Sequence, residues 1–211
     1  MGHLVGKDVY RALGQKLDNL TCKTPYTPEF EAILRKLYSA AEAELIVKMP
    51  YGLSSARRIS RIVGYDVTDQ LAELADRGLL MDVLLEDGPA YIVSPFVIGV
   101  FEFTMMRTRG QVEPDAWARL FSAYLDSGVL YGANAHEHIA VPPMRTLPHE
   151  ASLNPGVCEV LDFDRASAMI ARNTVFAMGA CSCRHEKLHL GEKTCDIPLE
   201  TCASMGGAAE Y

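Results

Sequence analysis

The sequence lacks a secretory signal: Met1 to Tyr10 mixes charged and apolar residues where such a segment would carry a basic start and an apolar run. Later apolar runs are broken by charge or glycine well before the roughly 20 residues that a membrane-spanning helix needs. These absences make the cytoplasm the expected compartment and exclude a membrane partner. The chain also has no glycine-rich phosphate loop, no nucleophile–base–acid set and no pair of carboxylates placed for acid–base work. No substrate or reaction can be read, so a non-catalytic role is expected ahead of an enzyme. Basic residues are short as well, 20 Lys and Arg against 27 Asp and Glu for a net charge of -7, which disfavours general affinity for nucleic acid.

Cysteine is present and unevenly placed. Four of the six cysteines, Cys181, Cys183, Cys195 and Cys202, fall in the last stretch of the chain with one, then eleven, then six residues between them. Thiolates are the soft ligands that zinc and iron–sulfur clusters select, and four can close a tetrahedral shell around one metal or one cubane. Disulfides belong to oxidising compartments and small cores, whereas 211 residues at 49% hydrophobic composition can build an ordinary core or two. Metal or cluster ligation is therefore preferred to disulfides or to reactive catalytic thiols.

Periodicity predicts an α+β chain, mainly helical. Val9, Leu13, Leu17 and Leu20 recur at helical spacing within 8–20, and a second helix follows Thr27-Pro28 and fades near Met49-Pro50. Next come a short helix, a turn at Gly64-Tyr65-Asp66, a helix ending near Gly78, and strands around 81–85 and 90–94. Three helices and a hairpin make a winged-helix-like domain over 1–110. Arg57, Arg58 and Arg61 could meet phosphates, but Asp66, Asp69, Glu73 and Asp76 on the second helix would repel a duplex, which favours an interaction module over DNA binding. Residues 95–106 are apolar all round and are expected to form a helix buried between the two halves.

The second part, 111–211, opens with an amphipathic helix over 115–127 and an irregular proline-rich stretch carrying His136, His138 and His149, which read as solvated. A strand at 157–161, a helix capped by Asp164 and a strand at 174–178 lead to Cys181. Cys22 and Cys158 read as core fillers. Cys181 and Cys183 are expected to leave the strand end together, and Asp196 and Pro198 to start a helix with Cys195 at its N-terminus and Cys202 on its face, ending near Gly206-Gly207.

The run Cys181-Ser-Cys183-Arg184, then Cys195-Asp196-x-Pro198-x-Glu200-x-Cys202, resembles the cysteine signature of a ferredoxin-like 4Fe-4S iron–sulfur family of anaerobic microbes. The helical front half and the strand–helix–strand lead are similar too. Longer members continue into a bacterial-type ferredoxin domain that is lacking here. The resemblance implies a 4Fe-4S cluster on Cys181, Cys183, Cys195 and Cys202, supported from behind by Arg184 and Asp196, with electron transfer to a redox partner protein or a fused ferredoxin domain. Spacing alone leaves zinc as the alternative cofactor. Two other functions stay open: a winged-helix regulator sensing redox state or metal, and an interaction module with structural zinc. A homodimer is compatible with any of them.

Overall fold

The computed structural model describes residues 8–106, 112–134, 167–168 and 170–209. The fold is mixed helix and sheet, mainly helical. Helix α1 (Val9–Asp18) begins where the Asp8 carboxylate accepts the Tyr10 N–H, and α2 (Pro28–Leu37) begins where the Thr27 hydroxyl accepts from Phe30. The helix expected to run on to Met49 stops instead at Tyr38, whose backbone is extended. Ser39 then opens α3 (Ala40–Lys48) through a capping box: its hydroxyl accepts the Glu42 N–H while the Glu42 carboxylate accepts the Ser39 N–H at 2.7 Å. Two helices meeting at an angle wrap the core better than one straight rod, and Ser39-x-x-Glu42 is the local signal for the break.

Helices α4 (Ala56–Val63) and α5 (Thr68–Asp76) and strands β2 (Leu80–Leu85) and β3 (Gly88–Val93) follow as the periodicity predicts, preceded by a two-residue strand, β1 (Ser54–Ser55), that it did not predict. The antiparallel sheet is ordered β1-β3-β2, with Leu80 opposite Val93 and Leu85 opposite Gly88. Gly78 joins α5 to this sheet at φ +75°, and a Cβ there would lie 2.7 Å from Phe103 Cβ. Only glycine meets both conditions.

Residues 95–106 depart from the expected single helix. Phe96–Val100 form a wide turn in which Val97 is extended, Ile98 has φ 56° and ψ 56°, and Gly99 is extended; regular helix resumes only at α6 (Phe101–Met106). Phe96, Val100, Phe101 and Met105 are buried as expected, but Ile98 is 67% exposed. An apolar-all-round segment cannot bury every side on a straight path here, because Gly99 packs so tightly on Ser94 that a Cβ would approach its Oγ to 2.5 Å. Ile98 is thereby turned outward, and Glu102 accepts the freed Gly99 N–H at 2.8 Å. A β-branched residue in the left-handed region carries a penalty of about 1–3 kcal/mol that the surrounding packing must hold in place.

The core runs on past residue 110. Helix α7 (Pro114–Asp126) contributes Trp117, Phe121 and Tyr124, and α8 (Val129–Asn134) contributes Leu130. Phe96 is central: its ring lies 4.9 Å from Phe30, 5.8 Å from Tyr124, 6.0 Å from Phe121 and 6.4 Å from Trp117. The buried polar tips are satisfied, Trp117 Nε1 donating to Thr104 Oγ1 at 2.9 Å and the Tyr124 hydroxyl to the Pro25 carbonyl at 3.0 Å. Strand β4 (Phe176–Ala180), helix α9 (Ser182–His189) and strand β5 (Glu200–Met205) complete the described chain, with β4 and β5 antiparallel and a short 3-10 turn at Gly206–Ala209. The strand expected at 157–161, most of the helix after Asp164, and His136, His138, His149 and Cys158 lie outside the described residues.

Removing the central ring should empty the core without removing a hydrogen bond. Phe96→Ala is expected to lower unfolding stability by about 3–5 kcal/mol in urea titrations followed by Trp117 fluorescence. Gly78→Ala should destabilise by at least about 1–2 kcal/mol, since the left-handed backbone and the contact with Phe103 both oppose a methyl group.

Candidate thiolate site and adjoining cavity

Strand β4 delivers Cys181 to the start of α9, where it is the N-cap residue and its N–H donates to the Leu199 carbonyl. Cys183 does not leave the strand beside it but lies in the first turn of α9, because the helix begins at Ser182. The helix expected from Asp196 is absent. Residues 200–205 pair instead with β4, with Cys202 opposite Gly179 and Met205 opposite Phe176, so Cys202 is a strand residue and Cys195 lies in the connection between α9 and β5. The ladder satisfies backbone groups on both strands at once, an advantage over an isolated turn of helix that sequence signals around Pro198 do not reveal. Asp196 is exposed and caps no helix.

Arg184 is the hub of this unit. Its Nη1 donates to Cys181 Sγ at 3.4 Å and to Thr201 Oγ1 at 3.1 Å, and its charge also favours the Cys195 thiolate, so one cation serves two of the four thiols. The Ile197 backbone N–H, then the charges of Arg184 and Lys193, hold the Cys195 thiol below its usual range. Cys183 faces different neighbours. Desolvation, with the charges of Cys181, Glu102 and Glu186 adding to it, pushes its thiol up, and Cys22 is pushed up by burial and by Glu102. Among the described residues, no three His, Cys, Asp or Glu side chains gather closely enough to hold a metal ion. Arg184 thus holds Cys181 by a hydrogen bond and favours the Cys195 thiolate by its charge, while Cys183 sits among acidic neighbours and Cys202 lies on β5.

Helix α9 is tied down by a hydrogen-bonded chain that periodicity did not reveal. Asp115 Oδ1 meets His189 Nδ1 at 2.6 Å, His189 Nε2 meets His185 Nε2 at 2.9 Å, and His185 Nδ1 donates to the Met105 carbonyl at 2.7 Å. These bonds anchor α9 to α7 and α6. The signal was His185 and His189 four residues apart, which share a face only once 182–189 is read as a helix. On another side of α9, Cys183, Glu186 and Lys187 line a cavity of about 590 Å³ whose opposite walls come from α6, α7, α8 and the turn at Val97-Ile98.

The chain matches no family model, no curated protein and no solved structure. None of the described helices is long and apolar enough to cross a membrane.

Glu186 and Glu102 were not singled out by the sequence. Glu186 is 4% exposed, its Oε1 has no hydrogen-bond partner, and its nearest cation, Lys187 Nζ, stands 3.7 Å away. Burial pushes the Glu186 carboxyl up, against Lys187 and with Glu192 and Asp126; burial raises Glu102 too, although backbone N–H groups moderate it.

Two measurements test these assignments. Timed alkylation followed by mass spectrometry at neutral pH should show Cys195 reacting several-fold more slowly in Arg184→Ala than in the native chain, because the variant removes charge that favours the thiolate. For Glu186 the folded chain keeps a proton that the unfolded chain has already released, so its contribution to stability falls as pH rises from about 4.3 through the raised value. Melting curves of Glu186→Gln should therefore gain on the native chain as pH rises, with the smallest advantage near pH 4.

Proposed function

We propose that this protein is an iron–sulfur protein of ferredoxin type, with Cys181, Cys183, Cys195 and Cys202 as cluster ligands and a redox protein as partner. The observation that carries the reading is the Arg184 guanidinium, which donates to the Cys181 thiol and whose charge favours the Cys195 thiolate in the connection that follows α9. A guanidinium in that place offsets the negative charge that thiolate ligands accumulate and orients them by hydrogen bonding. Cys181 and Cys195 fit this role as they stand. Among the described residues no three ligating side chains are yet gathered, so a four-thiolate shell has to be completed as the metal binds. Thiolate sites commonly assemble with their metal, since binding free energy is also folding free energy. When bound, a cluster supplies one-electron chemistry. The cysteine pattern itself resembles that of ferredoxin-like proteins from anaerobes, which favours a cluster over zinc.

The front half supports a winged-helix-like module used for contacts with a partner: α3, α4 and α5 precede the β2–β3 hairpin. The acidic first turn of α5 and its Glu73 and Asp76 disfavour duplex DNA as that partner.

Protein purified without oxygen should be brown and contain iron and acid-labile sulfide. Cys195→Ser and Cys202→Ser should each lose most of the iron, while Cys22→Ser keeps it. Stoichiometric zinc without sulfide would overturn the electron-transfer reading in favour of structural zinc, and a salt-sensitive shift of a promoter-sized duplex would favour the regulator.

A further inference from the structure

We propose that the cavity between α9 and the α6–α8 wall is a binding site for a small hydrophobic amine, with an apolar body against the wall and an ammonium group on Glu186. The inference goes beyond the cluster reading, with which it shares one bordering residue, Cys183. At about 590 Å³ the cavity is of the size that holds one cofactor- or drug-sized molecule. Val97, Ile98, Phe101, Phe121, Leu125 and Leu130 supply its apolar lining. This surface is built rather than incidental, because it contains Ile98 at φ 56°, an outlier held outward by the packing of Phe96 and Gly99 on either side of it.

The polar part of the lining selects the head group. Glu186 is buried and lines the cavity; its Oε1 is enclosed without a hydrogen-bond partner, so the carboxylate is short of donors and a ligand donor on its other oxygen would ease the deficit. Glu102 lines the same space, so two carboxyl groups face one occupant, and its bond from the Gly99 N–H leaves other lone pairs open. Lys187 also lines the cavity but is bonded to Glu192 at 2.8 Å and reaches Glu186 only at 3.7 Å. Two carboxyl groups thus face one ammonium that Glu192 shares, and an amine ligand supplies a further donor and a further positive charge. A carboxylate ligand would meet like charge, and an alcohol would supply a donor without charge.

The full chain carries its own reporter, since the single tryptophan, Trp117, lies with ring centroids 6.3 Å from Phe101 and 6.0 Å from Phe121, both in the wall. Titration with decylamine, decanol and decanoate, below their aggregation limits and followed by Trp117 fluorescence and calorimetry, tests the proposal. Decylamine should bind saturably at one site, about tenfold or more tighter than decanol, with decanoate weakest. Glu186→Gln should remove most of the preference for decylamine over decanol while decanol affinity stays within about twofold. Val97→Phe, which fills the cavity from its wall, should weaken all three in a chain whose near-ultraviolet circular dichroism shows it to be folded. Equal binding of the three probes, no saturable binding of any, or an unchanged amine preference in Glu186→Gln would each overturn it. Iron content and sulfide are read separately on the same samples, so the two readings fail on different measurements.

Discussion

Phe96 is the residue on which the described structure closes. Its ring touches α2 through Phe30 and α7 through Trp117, Phe121 and Tyr124, so it joins the front helices to the helix that supports the cysteine-bearing unit. Burying a ring of that size contributes a few kcal/mol, a sizeable share of the stability of any domain. Val100, four residues on, is buried as well. With Gly99 pressed on Ser94 between them, the backbone leaves the helical path, and the strain concentrates at Ile98.

That departure shapes what lies next to it. A regular helix through 96–100 would place its side chains evenly around an axis; the wide turn instead presents Val97 and Ile98 to one side as a wall. Glu102 caps the interrupted turn and so points its carboxyl toward the same space. Helix α9 supplies the facing side, positioned by the hydrogen-bonded chain from Asp115 through His189 and His185 to Met105. One helix therefore has two duties. Its N-cap residue Cys181 accepts from Arg184, whose charge also favours the Cys195 thiolate, while Cys183 and Glu186 border the cavity. Glu186, with an oxygen that accepts no hydrogen bond, and Arg184, which donates to the Cys181 thiol, are two residues apart on this helix, so the cavity and the thiol site adjoin through it.

Elements whose reason is local were legible from residue order alone. Thr27-Pro28 starts a helix because a hydroxyl and a proline suit its first turn wherever the helix sits, and Gly64 and Gly78 end helices because their backbone conformations disfavour a side chain. The β2–β3 hairpin and α7 likewise follow from alternation and from 3.6-residue periodicity. The cysteine spacing was visible too, as was Arg184 beside it.

The tertiary structure decided what depends on partners distant in the chain. A capping box at Ser39 could be seen, but that the chain bends there rather than continuing to Met49 follows from the core the two helices enclose. Whether 200–205 is a helix or a strand depends on β4 being present to pair with, and that pairing put Cys202 on a ladder and Cys195 in a connection, against the local signals of Asp196 and Pro198. Glu186 reads in sequence as one more charged residue among Arg184, His185 and Lys187; only its packing against the cavity leaves it buried with an unpaired oxygen. Composition and spacing determined the chemistry this chain can offer, thiols and carboxyls on an apolar helical frame. Long-range packing determined which of those groups meet, because desolvation and hydrogen bonding act between neighbours in space and not between neighbours in sequence.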